Sequence, residues 1–341
     1  MKRNLLIFLL FAAAAVFSSC GRENSINEKA VLFEVAKGDS LSSVVDKLTD
    51  TGVIDNPNRF KIVAKLMGKD KKIQTGVYQI LPGENFADII EKMTSGKTHS
   101  IKITFPEGYN IFEMGTALSN LGICGYDEFM AEVKNPKYTE RYGIPAGQSL
   151  EGYLFPDTYF VPYKTDVKKV VEMMLNRFDT VVTPDMKQKI KDRGMTLHQV
   201  LTMASIIQKE TGVEYEMPIV SGVYYNRLKA DWMLQADPTI IYGLLIENKY
   251  DGNIKKTHLT AENTSPYNTY ALYGLPPGPI SSVGKQAILA AIFPAQVDYF
   301  FFVASGKGDG THVFSRNVEE HNQAVQLYKQ NMKNLKNAQG Q

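Results

Sequence analysis

The chain has 341 residues, of which 44% are hydrophobic and 22% are charged, and its formal net charge is +2. This length is sufficient for two or three domains with packed cores. The nearly balanced charge excludes the strong basic field of a nucleic-acid-binding protein, so we expect no nucleic-acid partner.

Residues 1–20 have the pattern of a secretory targeting segment. Basic residues precede an unbroken apolar run over residues 5–17, which is short for a membrane span. Residues 17–20 (FSSC) resemble the lipobox of bacterial lipoproteins, which implies that Cys20 is lipidated and that residues 21–30 are a tether. The alternative is an uncleaved transmembrane anchor. Either interpretation predicts a protein anchored to the membrane on its periplasmic side, at the inner membrane or, alternatively, the outer one.

Residues 31–96 are predicted to form a small α+β module. Residues 31–35 and 76–80 have the composition of strands. Between them, Ser40 is placed to cap one helix, and Asn56, which is followed by proline, is placed to begin a second. The strand–helix–helix–strand order, with Gly-Asp-Ser-Leu at the first turn, resembles the lysin motif (LysM), a module that binds N-acetylglucosamine polymers. The alternative is a domain that only positions the rest of the chain.

Residues 101–162 are predicted to be a linking, β-rich part of the catalytic region. Residues 101–105 alternate like a strand, and residues 150–159, which are rich in aromatic side chains and contain a proline, are predicted to be a loop or a strand end. Residues 165–336 are predicted to form the catalytic core, which begins with helices and ends with a hairpin and a helix. Because helices and strands are segregated, the predicted fold class is α+β, with a small LysM-like module followed by a larger mixed α+β catalytic domain.

One helix of this core carries the clearest functional signal. Thr196 and Gln199 have the spacing of a capping box, so the helix should begin near Leu197. At about 100° per residue, the face opposite the apolar one carries His198, Thr202, Ser205 and Lys209, and Glu210 falls on the apolar flank of the last turn. Desolvation and the negative end of the helix dipole both disfavour a carboxylate there, which predicts a raised pKa and a general acid. The alternative is a glutamate whose carboxylate reaches solvent at the helix end.

A second carboxylate, which glycoside hydrolases usually need, is not obvious. Asp237 precedes a proline and is predicted to cap a helix, whereas Glu151 and Glu214 have no local explanation. The turn-rich stretches 265–270 and 274–279 are predicted to be loops that suit sugar hydroxyl groups. The histidines lack the spacing of metal ligands, so we expect neither a metal nor another cofactor.

Six stretches together resemble the endolytic murein transglycosylase family, also called the MltG or YceG-like family. The resemblance covers nearly the whole mature chain. The stretches are LEGYLFPDTY (150–159), MASIIQKET (203–211), NRLKADWMLQADPTIIYG (226–243), SPYNTYALYGLPPGPI (265–280), DYFFFVASGKGDGTHVFS (298–315) and EEHN (319–322).

The resemblance implies that Glu210 is the catalytic residue, because it occupies the second acidic position of the family's Glu-Lys-Glu pattern. Gln208 stands at the first acidic position, which argues against essential acid–base chemistry there. Many members have a transmembrane anchor where this chain has a lipobox-like sequence. The candidates for holding the glycan in the matching loops are Gln235, Asp237, Asn268 and Tyr270.

The family resemblance also implies a reaction and its partners. The protein would be a lyase that cuts nascent peptidoglycan strands internally, between N-acetylmuramic acid and N-acetylglucosamine. The cut leaves a 1,6-anhydro-muramic end and terminates elongation beside the peptidoglycan synthases. Two alternatives stay open: a glycoside hydrolase that uses water, with Glu151, Glu214 or Asp237 as the second carboxylate, and a non-enzymatic protein that binds cell-wall glycan.

Overall fold

The computed structural model describes residues 24–339, with side chains to residue 337. The predicted targeting segment and Cys20 lie outside these residues. The described chain divides into two compact units, one of residues 24–103 with 160–165 and one of residues 104–159 with 166–339. Between residues 24 and 339, no helix has both the length and the apolar composition that crossing a membrane requires.

The first unit begins with the predicted strand–helix–helix–strand order. Strands β1 (Val31–Val35) and β2 (Gly76–Ile80) pair in antiparallel register. Helices α1 (Leu41–Asp50) and α2 (Pro57–Leu66) lie between them in the chain, and α3 (Phe86–Ser95) follows. The element order expected from the sequence is therefore confirmed for this unit.

Local capping sets the helix starts in the first unit. The Ser40 side chain accepts a hydrogen bond from the N–H of Ser43, and the Asn56 side chain accepts one from the N–H of Arg59. The helices and strands then bury one shared apolar core. This core includes Phe33, Val44, Leu48, Phe60, Tyr78 and Ile89.

The prediction of a β-rich segment over residues 101–162 is wrong for its middle. Strands β3 (Ser100–Thr104) and β4 (Thr158–Pro162) pair with each other, but three helices lie between them in the chain. The helices are α4 (Ile111–Asn120), α5 (Tyr126–Glu132) and α6 (Pro136–Arg141). Asn110 and Glu113 form a capping box for α4, and a proline follows the Asn135 cap of α6. These local helix-start signals lie in residues 110–136, between the two strands, and they explain why the middle of the segment is helical.

The rest of the second unit is a helical assembly completed by a hairpin. Its helices are α7 (Val167–Val181), α8 (Pro184–Asp192), α9 (Leu197–Glu210), α10 (Met217–Lys229), α11 (Asp237–Ile246) and α12 (Lys285–Ile292). Helix α9 lies at the centre, in contact with α8, α10, α11 and α12. Short 3₁₀ turns occupy Glu214–Glu216 and Lys256–Leu259.

The predicted hairpin consists of β5 (Phe301–Ala304) and β6 (His312–Ser315), in antiparallel register. The last helix, α13 (Val318–Gln339), packs against both strands. Short antiparallel sheets and separate helices make up both units, so the predicted α+β class is confirmed.

Candidate active site

Helix α9 carries the candidate acid at its last residue. The predicted start is confirmed, because Thr196 and Gln199 form a complete capping box. The helix is not amphipathic in the way the sequence suggested, however. His198, Thr202 and Ser205, which were predicted to form its polar face, are buried together with its apolar residues. These polar residues are buried because α9 lies at the centre of the unit and not at its surface.

Hydrogen bonds satisfy this buried polar face and fix the proline-rich loop. His198 Nε2 lies 2.9 Å from the Pro277 carbonyl oxygen, and His198 Nδ1 lies 3.1 Å from the Tyr153 hydroxyl. Ser205 Oγ accepts the N–H of Ile280 at 3.0 Å. The loop over residues 274–279 is therefore held rigidly against α9, as a loop that supports a site requires.

The Glu210 carboxyl group is bonded to a fully buried tyrosine on the next helix. Tyr224 in α10 donates its hydroxyl hydrogen to Glu210 Oε1 across 2.6 Å. Glu210 keeps part of its surface exposed, but protein crowds its carboxyl group. Within residues 24–339 no side chain donates a hydrogen bond to the other carboxyl oxygen, Oε2, which leaves this oxygen available to hold or give up a proton.

Burial raises the pKa of Glu210 from 4.5 to about 7, and the negative charge of Asp237 adds to the increase. The Tyr224 hydrogen bond and the positive charges of His312 and Arg227 oppose it. The raised pKa predicted from the sequence is therefore found. Its main cause is the predicted one, because desolvation is the largest contribution.

Asp237 and Tyr270 form a second polar pair beside Glu210. Tyr270 donates its hydroxyl hydrogen to Asp237 Oδ1 at 2.5 Å, and the charge of Glu210 is among the causes that raise the pKa of Tyr270. Asp237 was expected to cap α11, but Ala236 holds the cap position and Asp237 is the first helical residue. Its side chain is thus free for the contact with Tyr270.

Backbone pairing brings the remaining candidates together. Gln235 has a positive φ of 51° and donates its N–H to the Thr269 carbonyl at 3.0 Å, which holds the start of α11 against the loop that carries Tyr270. The Gln235 side chain is exposed. Asn268 is 1% exposed, and its amide nitrogen donates to the carbonyls of Thr260 and Asn263. Asn268 therefore supports the loop from within.

Three residues that affect the pKa of Glu210 were not identified from the sequence: Tyr224, Arg227 and His312, the last of which is paired with Glu216. Glu216 is 3% exposed, accepts the His312 backbone N–H at 3.0 Å, and lies 2.8 Å from His312 Nδ1. Arg227 is likewise buried. Arg227 and His312 lie in the stretches 226–243 and 298–315, which were singled out as matching motifs, and that location is the signal that could have identified them.

The other carboxylates considered from the sequence lie in different surroundings. Glu214 is exposed at the start of a 3₁₀ turn. Glu151 is 3% exposed, accepts the N–H of Ile111 at 3.0 Å, and lies near enough to Tyr242 to raise the pKa of that hydroxyl. Burial raises the pKa of Glu151 to about 8. Neither residue is among the groups that shift the pKa of Glu210.

We expect Glu151→Gln to stabilise the protein at high pH. The unfolded chain releases the Glu151 proton near the ordinary value of 4.5, whereas the folded chain keeps it to about pH 8, so the free energy of unfolding falls between these values. Glutamine has the shape of the neutral acid and removes this cost. The advantage of the variant over wild type should grow by at least about 1 kcal/mol between about pH 5 and about pH 8 in urea unfolding. A constant difference across that range would contradict the expectation.

Metal ligation is not indicated for the described part of the chain. Within residues 24–339, no three side chains of histidine, cysteine, aspartate or glutamate come together in a way that could hold a metal ion.

Comparison with known proteins gives consistent matches over most of the chain. A sequence model of the YceG-like family matches residues 33–327. An endolytic murein transglycosylase of Bacillus subtilis is 30% identical over 317 residues, which are 89% of this chain and 86% of that protein. An endolytic murein transglycosylase of Streptococcus pneumoniae is 26% identical over 327 residues. The match covers 88% of this chain but only 58% of that longer protein.

A solved structure has the same fold. The crystal structure of a yceG-like protein from Listeria monocytogenes superposes with a TM-score of 0.57 at 30% sequence identity. The match covers 87% of this chain and 99% of that one.

Proposed function

The chain belongs to the YceG-like family, and on that premise we propose that it is a lytic murein transglycosylase in which Glu210 performs both proton transfers. The names of the relatives support the reaction class, a lyase acting on peptidoglycan. The observation that supports the role of Glu210 is its crowded carboxyl group, which lies 2.6 Å from the Tyr224 hydroxyl and has a pKa of about 7.

A pKa near neutrality suits a group that must act first as an acid and then as a base. Burial and the charge of Asp237 favour the protonated form that begins the reaction. The Tyr224 hydrogen bond and the charges of Arg227 and His312 favour the carboxylate that remains after the proton is transferred. Because the resulting pKa of about 7 is close to neutral pH, both forms of Glu210 are accessible in one catalytic cycle.

The proposed reaction breaks one bond and forms one bond. Glu210 protonates the oxygen that links C1 of N-acetylmuramic acid to N-acetylglucosamine, and the C1–oxygen bond breaks as the leaving sugar takes that proton. The C6 hydroxyl of the same muramic residue attacks C1 and gives its proton to the Glu210 carboxylate. The product is a 1,6-anhydro end, no water is consumed, and Glu210 regains its starting proton.

The site geometry gives a physical reason for preferring this reaction to hydrolysis. A hydrolase would need a second carboxylate to activate water or form a covalent bond. Glu151 is bonded within the protein interior, and Glu214 is exposed on a turn. Asp237 is the one candidate near enough to influence Glu210, and it is bonded to Tyr270. We propose that this Asp237–Tyr270 pair, with Gln235 beside it, orients the glycan.

Product analysis tests the proposed reaction. Uncrosslinked glycan strands digested in water enriched in oxygen-18 should yield anhydro ends, which are one water lighter than reducing ends and contain no oxygen-18. Reducing ends that contain oxygen-18 would instead identify a hydrolase. Intact strands that remain bound to the protein would identify a glycan-binding protein without enzymatic activity.

The pH dependence should follow the protonation of Glu210. The free enzyme needs the protonated acid, so kcat/KM should fall as pH rises through about 7. Since the negative charge of Asp237 raises the pKa of Glu210, Asp237→Asn should move this fall to lower pH. The check is the pH profile of both proteins. A profile of Asp237→Asn that superposes on that of wild type after scaling would contradict the proposed charge coupling.

The cellular setting is also part of the proposal. We propose that the lipobox-like Cys20 anchors the protein to a membrane, with its body outside the cytoplasm, where its substrate is made. The strand–helix–helix–strand order of the first unit supports a LysM-like contact with N-acetylglucosamine polymers. Synthases that extend the strands would be the partners, since the enzyme terminates what they elongate.

A further inference from the structure

A groove lies on the second unit between α4 and the start of α11. Its volume is about 690 Å³, within the roughly 300–1,000 Å³ that small-molecule sites occupy. We call it the α4–α11 groove. The lining residues used below are Phe112, Glu113, Asn120, Lys209, Tyr242 and Tyr250.

The groove adjoins the candidate active site along two chain segments. Lys209 lines it and directly precedes Glu210, while Pro238 lines it and directly follows Asp237. Consecutive Cα atoms are about 3.8 Å apart, so the wall of the groove comes within one residue of Glu210 and of Asp237. A chain that continues past the scissile bond would enter it.

The lining has the chemistry of a saccharide site. Phe112 and Tyr250 are half-buried aromatic residues that line the groove, and the buried Tyr242 packs beside Phe112 with ring centroids 6.0 Å apart. Partly exposed aromatic faces such as those of Phe112 and Tyr250 pack against the apolar faces of sugar rings. Asn120 and Glu113 are exposed on α4 and offer amide and carboxylate groups to hydroxyl and N-acetyl groups.

The charges in the groove favour a neutral ligand. Glu113 and Lys209 carry opposite charges, and each also has a bond within the protein. Glu113 Oε2 accepts the Asn110 N–H at 2.8 Å, and Lys209 Nζ donates to the Gly108 carbonyl at 3.2 Å. A polyanion such as a phosphate-linked wall polymer would need an excess of positive charge, which these residues do not supply.

Glu151 connects the two walls from beneath. Its carboxyl group accepts the N–H of Ile111 in the first turn of α4 at 3.0 Å, and it lies near enough to Tyr242 of α11 to raise the pKa of that hydroxyl. Both Glu151 and Tyr242 are more than nine-tenths buried. A buried carboxyl group is costly unless it is hydrogen-bonded, and the bond to Ile111 holds this one between the two helices that form the groove.

We propose that the α4–α11 groove binds the sugar residues of the glycan strand that continue beyond the bond cut at Glu210. This inference rests on the proposed function and adds a subsite to it. An enzyme that cuts strands internally must also bind the sugar residues that lie beyond the scissile bond, and the groove supplies a binding surface for them. Its occupancy makes long strands better substrates than short ones.

Kinetics on two substrates test the subsite. The variants are Tyr250→Ala and Phe112→Ala, with Phe293→Ala as the matched control, because Phe293 is an exposed aromatic residue of the same unit outside the groove. On long uncrosslinked strands, each groove variant should raise KM about tenfold with little change in kcat, as expected when binding alone is lost. On a tetrasaccharide of the same repeat, the groove variants should match the control. An equal loss on both substrates, or no loss on either, would overturn the subsite.

A binding measurement keeps this inference separate from the chemistry. In the Glu210→Gln background, which should cut neither substrate, the groove variants should bind long strands about tenfold more weakly than Phe293→Ala does. If strands bind as predicted but wild type yields no anhydro ends, the proposed function fails and the groove stands. If anhydro ends form and binding is unchanged in the groove variants, the groove fails and the proposed function stands.

Discussion

Glu210→Gln should reduce kcat on uncrosslinked glycan by about 10³-fold or more, because general acid–base catalysis contributes about 10²–10⁴-fold and this one group supplies both transfers. Glutamine keeps the size of the side chain and can still accept the Tyr224 hydrogen bond, so the fold should be preserved. It can neither give a proton to the glycosidic oxygen nor take one from the C6 hydroxyl. Release of anhydro ends over time measures the loss.

The matched control for this variant is Glu214→Gln. Glu214 lies four residues further along the chain, but it is exposed and is not among the main groups that shift the pKa of Glu210. Its replacement should leave kcat within about twofold of wild type, since surface substitutions away from special features have small effects. Activity of Glu210→Gln within tenfold of wild type, or an equal loss in Glu214→Gln, would contradict the assignment of the acid.

Arg227→Met should have the second largest effect, in this case on stability. Arg227 is 7% exposed, donates from Nε to the Phe300 carbonyl at 2.8 Å, and donates from Nη1 to the Leu234 carbonyl at 2.5 Å. Its guanidinium group also lies over the rings of Tyr224, Trp232 and Phe301. An apolar replacement leaves two carbonyl groups without partners, at about 1–3 kcal/mol each.

We therefore expect Arg227→Met to lower the free energy of unfolding by about 3 kcal/mol in urea unfolding. The positive charge of Arg227 lowers the pKa of Glu210, so whatever activity remains should persist to higher pH than in wild type. Arg227→Lys is the control. It keeps the positive charge and should therefore keep the pH profile, but a single ammonium group cannot reproduce the two hydrogen bonds that the planar guanidinium group donates to the carbonyls of Phe300 and Leu234. If Arg227→Met unfolded with its midpoint at the same urea concentration as wild type, this result would contradict the structural role of Arg227.

The sequence predicted correctly those elements that depend on residues close together in the chain, such as helix caps. The start of α9 follows from Thr196 and Gln199, which lie within one turn of each other. The position of Glu210 on the flank of that helix follows from helical periodicity, and burial then raises its pKa as expected. The strand–helix–helix–strand order of the first unit was predictable for the same reason, since its caps are local.

The rest depends on contacts between distant residues, which one sequence does not reveal. Tyr224 is 14 residues from Glu210, and His312 is 96 residues from its partner Glu216. The buried polar face of α9 looked like a solvent-exposed face because its partners, Tyr153 and the loop of Pro277, come from other parts of the chain. The cap of α11 was predicted at Asp237, one residue too late. The cap is Ala236, whose side chain cannot form a capping hydrogen bond and so gives no signal in the sequence.

The central claim is that Glu210 holds a proton near neutral pH, and titration of that carboxyl group tests it most directly. Carbon-13 NMR of protein labelled at its glutamate side chains gives the titration curve, and Glu210→Gln identifies the resonance. We predict a midpoint of about pH 7 for the Glu210 resonance. A midpoint near 4.5, the ordinary value for glutamate, would show that the group is ionised under working conditions and would contradict its role as the acid.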